Sequence, residues 1–378
     1  MRSEVATVPA SATEGPARPQ FHLGNRPPLT GIRAPLLFAV LAYHSNFRSF
    51  PGAWSALGVF FVLSGFLITA MLSGEGQRTG KVSLRHFYAR RALRLLPPLF
   101  LTSAGIAIYA AFVPVADAAQ RVWGDILAAL FYYADYRQAL GHAPFFGFLA
   151  QTWSLSVEEQ FYVIWSVLMV AAVAVGRRRA AYGVGVLGVV ASVADRVYLT
   201  LAPAHFTHLA FGRVYYAFDT RADALFLGCL LGLAAADGHL SGWGRSAKRV
   251  LGVAALASGA LLVWTSLFVP LWTRSLLLFW MPASEVASAV LIVFFVVVPK
   301  GIGSRVVGNP LFVYIGNLSY TVYLVHFPVY LAISPGTMHW TYWPTQCLRV
   351  AVILAIAVPS WHFIERPLTR WRRRALVV

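Results

Sequence analysis

The sequence predicts an all-α fold: a polytopic transmembrane helical bundle of about ten spanning helices, with N- and C-termini cytoplasmic. Three observations carry that prediction. The 378-residue chain is 58% hydrophobic and only 12% charged, where soluble domains carry about 25% charged residues. Its apolar runs, each near the roughly 20 residues that a span requires, follow one another without a gap large enough for a soluble domain. Its basic residues fall in short clusters between those runs, as cytoplasmic loops do under the positive-inside rule. A formal net charge of +17 would suit nucleic acid if it formed one patch, but its scatter over loop-sized clusters points to membrane sidedness, and no nucleic-acid partner is expected. The two cysteines, Cys229 and Cys347, lie in or beside apolar runs, so neither a disulfide framework nor a metal site is expected.

Taken in order, residues 1–25 are rich in Ala, Pro, Ser and Thr and read as a disordered cytoplasmic tail. No cleavable signal peptide follows, because the first apolar run carries Arg33 and no small-residue cleavage site. The membrane domain spans residues 26–366, with helices expected near 29–47, 56–73, 95–115, 156–175, 181–201, 219–236, 250–269, 280–298, 311–332 and 346–363, and residues 367–378 form a basic tail. With the N-terminus inside, 23 of the 31 basic residues fall on the cytoplasmic side. Residues 124–137 are too short and polar to span, and are read as an interfacial or re-entrant piece on the outer side. No internal repeat of the transporter kind is visible.

Chemistry concentrates first between Gly31 and Leu96. Arg33 and His44 are eleven residues apart, which on a helix places them within about 20° of one face and roughly 16 Å apart along the axis. Ionisable groups at that depth are costly and point to function. The structural alternative is an Arg snorkelling to the headgroups and a His hydrogen-bonded at the far interface. Arg90, Arg91 and Arg94 form a guanidinium cluster suited to a phosphorylated cytosolic molecule, or else to topology and anionic membrane lipid.

On the expected topology the polar residues sort by depth. The arginines make a cationic inner mouth, while His44, Glu158, Asp223 and His326 lie toward the outside. Ser156 and Glu159 have capping-box spacing, so Glu159 is read as structural and Glu158 as the functional acid. Asp223 either serves the outer chamber or pairs with Arg221; His326 either serves it or packs between Tyr320 and Tyr323; Trp153 fits an aromatic belt as well as a chamber wall. A His with a carboxylate to orient it suits general-base attack by a hydroxyl.

The stretches GIRAPLLFAVLAYH, GVFFVLSGFLIT, VSLRHFYARRALRLLPP, QTWSLSVEEQFYVIW, DTRADALFLGCLLG, NLSYTVYLVHFPV and FIERPL resemble, in order, the landmarks of the acyltransferase 3 family. These are integral membrane enzymes that acylate carbohydrates and other extracytoplasmic acceptors. The resemblance runs from about Leu29 to Pro367. It departs from the family pattern at Thr30, where an Asp is common.

The resemblance implies a cytoplasmic acyl-CoA donor, acetyl-CoA foremost, no bound cofactor, and a carbohydrate or glycolipid acceptor at or beyond the cytoplasmic (inner) membrane. It implies catalytic roles for His44, Arg33 and Glu158 and donor binding by Arg90, Arg91 and Arg94. Asp223, His326, Tyr323 and Trp153 complete the expected acceptor chamber. Direct attack by the hydroxyl and passage through an acyl-His44 intermediate both fit. The competing reading is a transporter or flippase using the same charges as a permeation path.

Overall fold

The computed structural model describes residues 24, 26–45, 50–112, 118–141, 147–176, 178–203, 205–334 and 338–375. All of the expected N-terminal tail except Gly24 lies outside these residues, as do the last three residues of the C-terminal tail. Among the described residues there is no strand. Both cysteines are free.

Helices α1 (Pro27–Gly31) and α2 (Arg33–His44) stand where one span was expected. Pro35 lacks the N–H that would bond the Gly31 carbonyl, which accounts for the break between them. Helix α3 (Trp54–Thr79) is the most enclosed of the long helices and ends on Gly80 in the left-handed conformation, φ 69°. Helix α4 (Leu84–Phe112) begins eleven residues before the expected third span, so Arg85, Arg90, Arg91 and Arg94 lie on its first turns rather than in a loop. The Ser83 hydroxyl accepts the His86 N–H at 3.3 Å, and Glu75 receives the Ser83 N–H at 2.9 Å, fixing this start.

The segment 124–137 falls on two short helices, α5 (Ala118–Leu130) and α6 (Ala134–Ala139), broken at Tyr132, φ 53°. A 3₁₀ turn, Ala150–Thr152, leads into α7 (Trp153–Ala174). Then come α8 (Arg178–Leu201), α9 (His208–Tyr216), the short α10 (Ala222–Ala236) and α11 (Arg245–Phe268). A π-helical turn, Leu276–Trp280, opens α12 (Met281–Val297), followed by α13 (Ile302–Val307) and α14 (Pro310–Ala332). Helix α15 (Tyr342–Pro359) passes through a second π-helical turn, Ser360–Glu365, into α16 (Arg366–Ala375), so the basic tail is helical where described.

Among the described residues every expected span falls on helix, and seven helices are long and apolar enough to cross a membrane. The other three expected spans differ for physical reasons. The first is broken at Ile32; α10 has only 15 residues; and α14 carries Asn317, Ser319, Thr321 and His326 along its length.

Helices in lipid associate by close packing rather than by escape from water, so small residues mark the contacts. Gly65 of α3 faces Gly228 of α10: a Cβ on Gly228 would lie 2.1 Å from the Val62 carbonyl oxygen, and one on Gly65 2.0 Å from that of Leu225. The same device seats α1 on α14, where a Cβ on Gly316 would lie 2.1 Å from the Thr30 carbonyl oxygen. These contacts hold α3 on α10 and α1 on α14, and α2, α3, α4 and α14 all contribute to the lining of one polar interior.

Candidate active site

Three cavities lie in series through that interior. The first, about 350 Å³, is lined by Arg26, Thr30, Arg33, Arg94 and Glu365. The second, about 270 Å³, shares Arg33, Arg94 and Tyr320 with the first and continues to Glu158, Ser154 and Tyr323. The third, about 70 Å³, shares Leu57 and Tyr323 with the second and is walled by His44, Trp54, Gln151 and Trp153. Arg33 and His44, at opposite ends of α2, therefore stand at opposite ends of one path.

The arginines divide by partner. Arg90 turns to Glu75 at 3.3 Å and lines none of the three cavities. Arg91 is held by both oxygens of Glu159, Nε to Oε1 at 2.6 Å and to Oε2 at 2.8 Å, and lies over the Tyr162 ring at 3.6 Å. Arg33 and Arg94 form no hydrogen bond or ion pair among the described residues, and both line the first two cavities. Glu158 and Glu365 face the same cavities and attract these cations from a distance without bonding to them, so the two neighbouring guanidinium groups keep hydrogen-bond donors available for a polyanion.

Glu158 is not in the surroundings of His44. Its Oε2 accepts the Tyr162 hydroxyl at 3.1 Å and lies 3.9 Å from Arg91. The expected capping box is also absent. Because α7 starts at Trp153, Ser156 is inside the helix, where its hydroxyl donates to the Thr152 carbonyl at 3.2 Å and accepts the Ala134 N–H at 3.1 Å. Both glutamates thus belong to the arginine end of the path, and the expected split into a cationic mouth and an acidic chamber does not hold. Placing two carboxylates beside Arg91 compensates a charge that lipid could not.

The base end is a histidine pair. His326 Nδ1 lies 2.6 Å from the Tyr323 carbonyl oxygen, which can only accept, so Nδ1 carries a proton. In the neutral ring Nε2 is then an acceptor, and it lies 3.1 Å from His44 Nδ1, which must donate. The proton of neutral His44 is thereby assigned to Nδ1, leaving the Nε2 lone pair free. His326, together with the Val40 main chain and rather than a carboxylate, orients His44.

Tyr323 donates its hydroxyl proton to the Gln151 carbonyl at 2.6 Å and so receives that of Ser154 at 2.7 Å. Trp153 and Tyr323 wall the His44 cavity; Asp223 does not. It pairs with Arg196 Nη2 at 2.6 Å, with Glu285 beside it at 3.8 Å from the same nitrogen. Arg221, the partner considered from sequence, instead faces the rings of Phe61, Trp153 and Tyr215 at 5.4, 5.9 and 5.2 Å. Helix α8, remote in sequence, supplies the cation that α10 needs.

Gln151 is the site residue that sequence reasoning missed. Pro328 has no N–H for the Leu324 carbonyl one turn back in α14, and the Gln151 amide fills the vacancy at 2.9 Å. The HFP tripeptide in α14 was the available signal: a proline inside a polar helix leaves a carbonyl for something to satisfy.

A family model described as an acyltransferase domain matches residues 28–362. The chain belongs to the acyltransferase 3 family. It is 29% identical over 362 residues to the peptidoglycan O-acetyltransferase OatA of Listeria monocytogenes, covering 91% of this chain and 56% of that protein. With the putative peptidoglycan O-acetyltransferase YrhL of Bacillus subtilis it shares 30% identity over 356 residues, 90% of this chain and 54% of the other. A putative O-acetyltransferase of Staphylococcus aureus strain COL is 28% identical, with 93% and 58% covered. The chain thus spans a little over half the length of these curated relatives. No solved structure matches it.

Proposed function

We propose that this multi-pass membrane protein is an O-acyltransferase, moving an acetyl group from a phosphorylated cytoplasmic thioester, acetyl-CoA, to a hydroxyl of a cell-envelope carbohydrate. The observation that carries this reading is the series of adjoining cavities that runs from Arg33 and Arg94, neither bonded to a carboxylate, to the free Nε2 of His44. The arginine end suits the phosphates of the donor, and the narrowing cavities suit its flexible thioester arm. The names of the relatives support acetyl as the group and a wall glycan as the acceptor class.

In the proposed reaction His44 Nε2 takes the proton of the acceptor hydroxyl as its oxygen attacks the thioester carbonyl. The C–S bond breaks, and the thiolate leaves with the proton that His44 returns. His326 holds His44 in the tautomer this requires, while Tyr323 and Trp153 wall the reacting end. The charge distribution supports ten membrane crossings of the inner membrane with both termini cytoplasmic, which puts the arginine end on the donor's side.

The test is incubation of membranes containing wild-type or His44→Ala protein with radiolabelled acetyl-CoA and envelope extract, reading base-labile ester. His44-dependent label is expected. Equal label with both proteins would overturn the role of His44, and movement of an unaltered solute without CoA release would favour a transporter.

A further inference from the structure

We infer that Gln151 is a positioning residue for the histidine pair, working through the carbonyl that Pro328 leaves open in α14. This rests on the acyl-transfer reading above and adds a residue to it. Gln151 is 3% exposed and grips α14 at two places. Its side-chain amide donates to the Leu324 carbonyl at 2.9 Å, and its main-chain carbonyl accepts the Tyr323 hydroxyl at 2.6 Å. Tyr323 in turn offers its own carbonyl to His326 Nδ1 at 2.6 Å, and His326 faces His44 at 3.1 Å.

The chain of contacts is complete from Gln151 to the base. Gln151 fixes the turn of α14 that holds Tyr323 and Leu324; that turn fixes the ring of His326; and His326 fixes the proton of His44. An ordinary helix would satisfy the Leu324 carbonyl from residue 328 and offer Gln151 nothing to hold. Proline at 328 converts an internal helical bond into a link between α14 and the 3₁₀ turn before α7, both of which contribute to the wall of the His44 cavity.

Two substitutions separate positioning from mere support. Gln151→Met keeps the size, removes the amide and leaves the Leu324 carbonyl unpaired. Pro328→Ala restores a helical N–H for that carbonyl. In the double variant the carbonyl is satisfied and the main-chain contact to Tyr323 remains, but the side-chain link to Leu324 is gone.

Acetyl transfer from radiolabelled acetyl-CoA to envelope extract is measured beside the unfolding temperature of the detergent-solubilised protein. Gln151→Met should lower kcat roughly a hundredfold, the cost of a small misplacement of a reacting group, with donor KM little changed, and should lower the unfolding temperature. Adding Pro328→Ala should recover the unfolding temperature and not kcat. Gln151→Glu, which in its protonated form can donate to the same carbonyl, should retain most of the activity.

Recovery of kcat together with stability in the double variant, or full kcat in Gln151→Met, would overturn the assignment while leaving acyl transfer intact. Absence of transfer by the wild-type protein would overturn the acyl-transfer reading itself.

Discussion

Two charged regions of this protein invite comparison. Between α8, α10 and α12, Arg196 and Asp223 face each other at 2.6 Å with side chains 1% and 2% exposed, Glu285 stands beside them, and the Thr220 carbonyl takes a further Arg196 N–H at 3.1 Å. Between α2 and α4, Arg33 and Arg94 stand on the walls of two cavities with no carboxylate bonded to either. The first region sets carboxylates directly against its guanidinium and lines none of the three cavities; the second keeps its guanidinium groups available. In a membrane interior, where an ionisable group is expensive, compensation marks a structural role and its absence beside open volume marks a place for a charged ligand.

The largest effects should separate the regions by what is lost. His44→Ala should reduce acetyl transfer at least about a hundredfold, the scale of a lost general base, in a protein that still folds; label in the ester product against expression level checks this. Arg196→Ala should do the reverse. Leaving Asp223 and Glu285 buried together without their cation should cost about 3–5 kcal/mol of stability, seen as a lower unfolding temperature and poor yield in detergent, whereas Arg94→Ala should move that temperature hardly at all.

A smaller effect sharpens the contrast. Arg94→Ala should raise the donor KM roughly tenfold to a hundredfold, the range for a lost charge-assisted hydrogen bond. The loss should shrink as salt screens the remaining charge. If KM is unchanged in Arg94→Ala and in Arg33→Ala alike, the unpaired arginines are not the donor site. Smallest of all, Tyr323→Phe removes one hydroxyl and should slow transfer only about fivefold, the worth of a single neutral hydrogen bond of about 1 kcal/mol.

Much of the architecture was legible because membrane helices advertise themselves through apolar length. The interval from Arg33 to His44 was legible too, since both lie on one uninterrupted α-helix, α2, whose geometry fixes their separation. Helix boundaries were less so. The third span was expected to begin after the arginines, but α4 starts at Leu84, because charged residues extend a helix beyond lipid as readily as they form a loop. The acidic pair Glu158 and Glu159 was assigned to the wrong end of the site because their depth was inferred from a helix start at Ser156, three residues late.

What the sequence by itself determined is the class of the protein and the types of its reactive groups: an all-helical membrane chain with a landmark Arg and His eleven residues apart and an arginine-rich helix following. Those properties reside in local periodicity and composition. Tertiary structure alone decided which groups meet: His326 with His44, Arg196 rather than Arg221 with Asp223, Glu159 with Arg91, and Gln151 with the carbonyl opened by Pro328. Each pairing joins different helices, and periodicity within a helix says which face a residue occupies but not which neighbour comes to cover it.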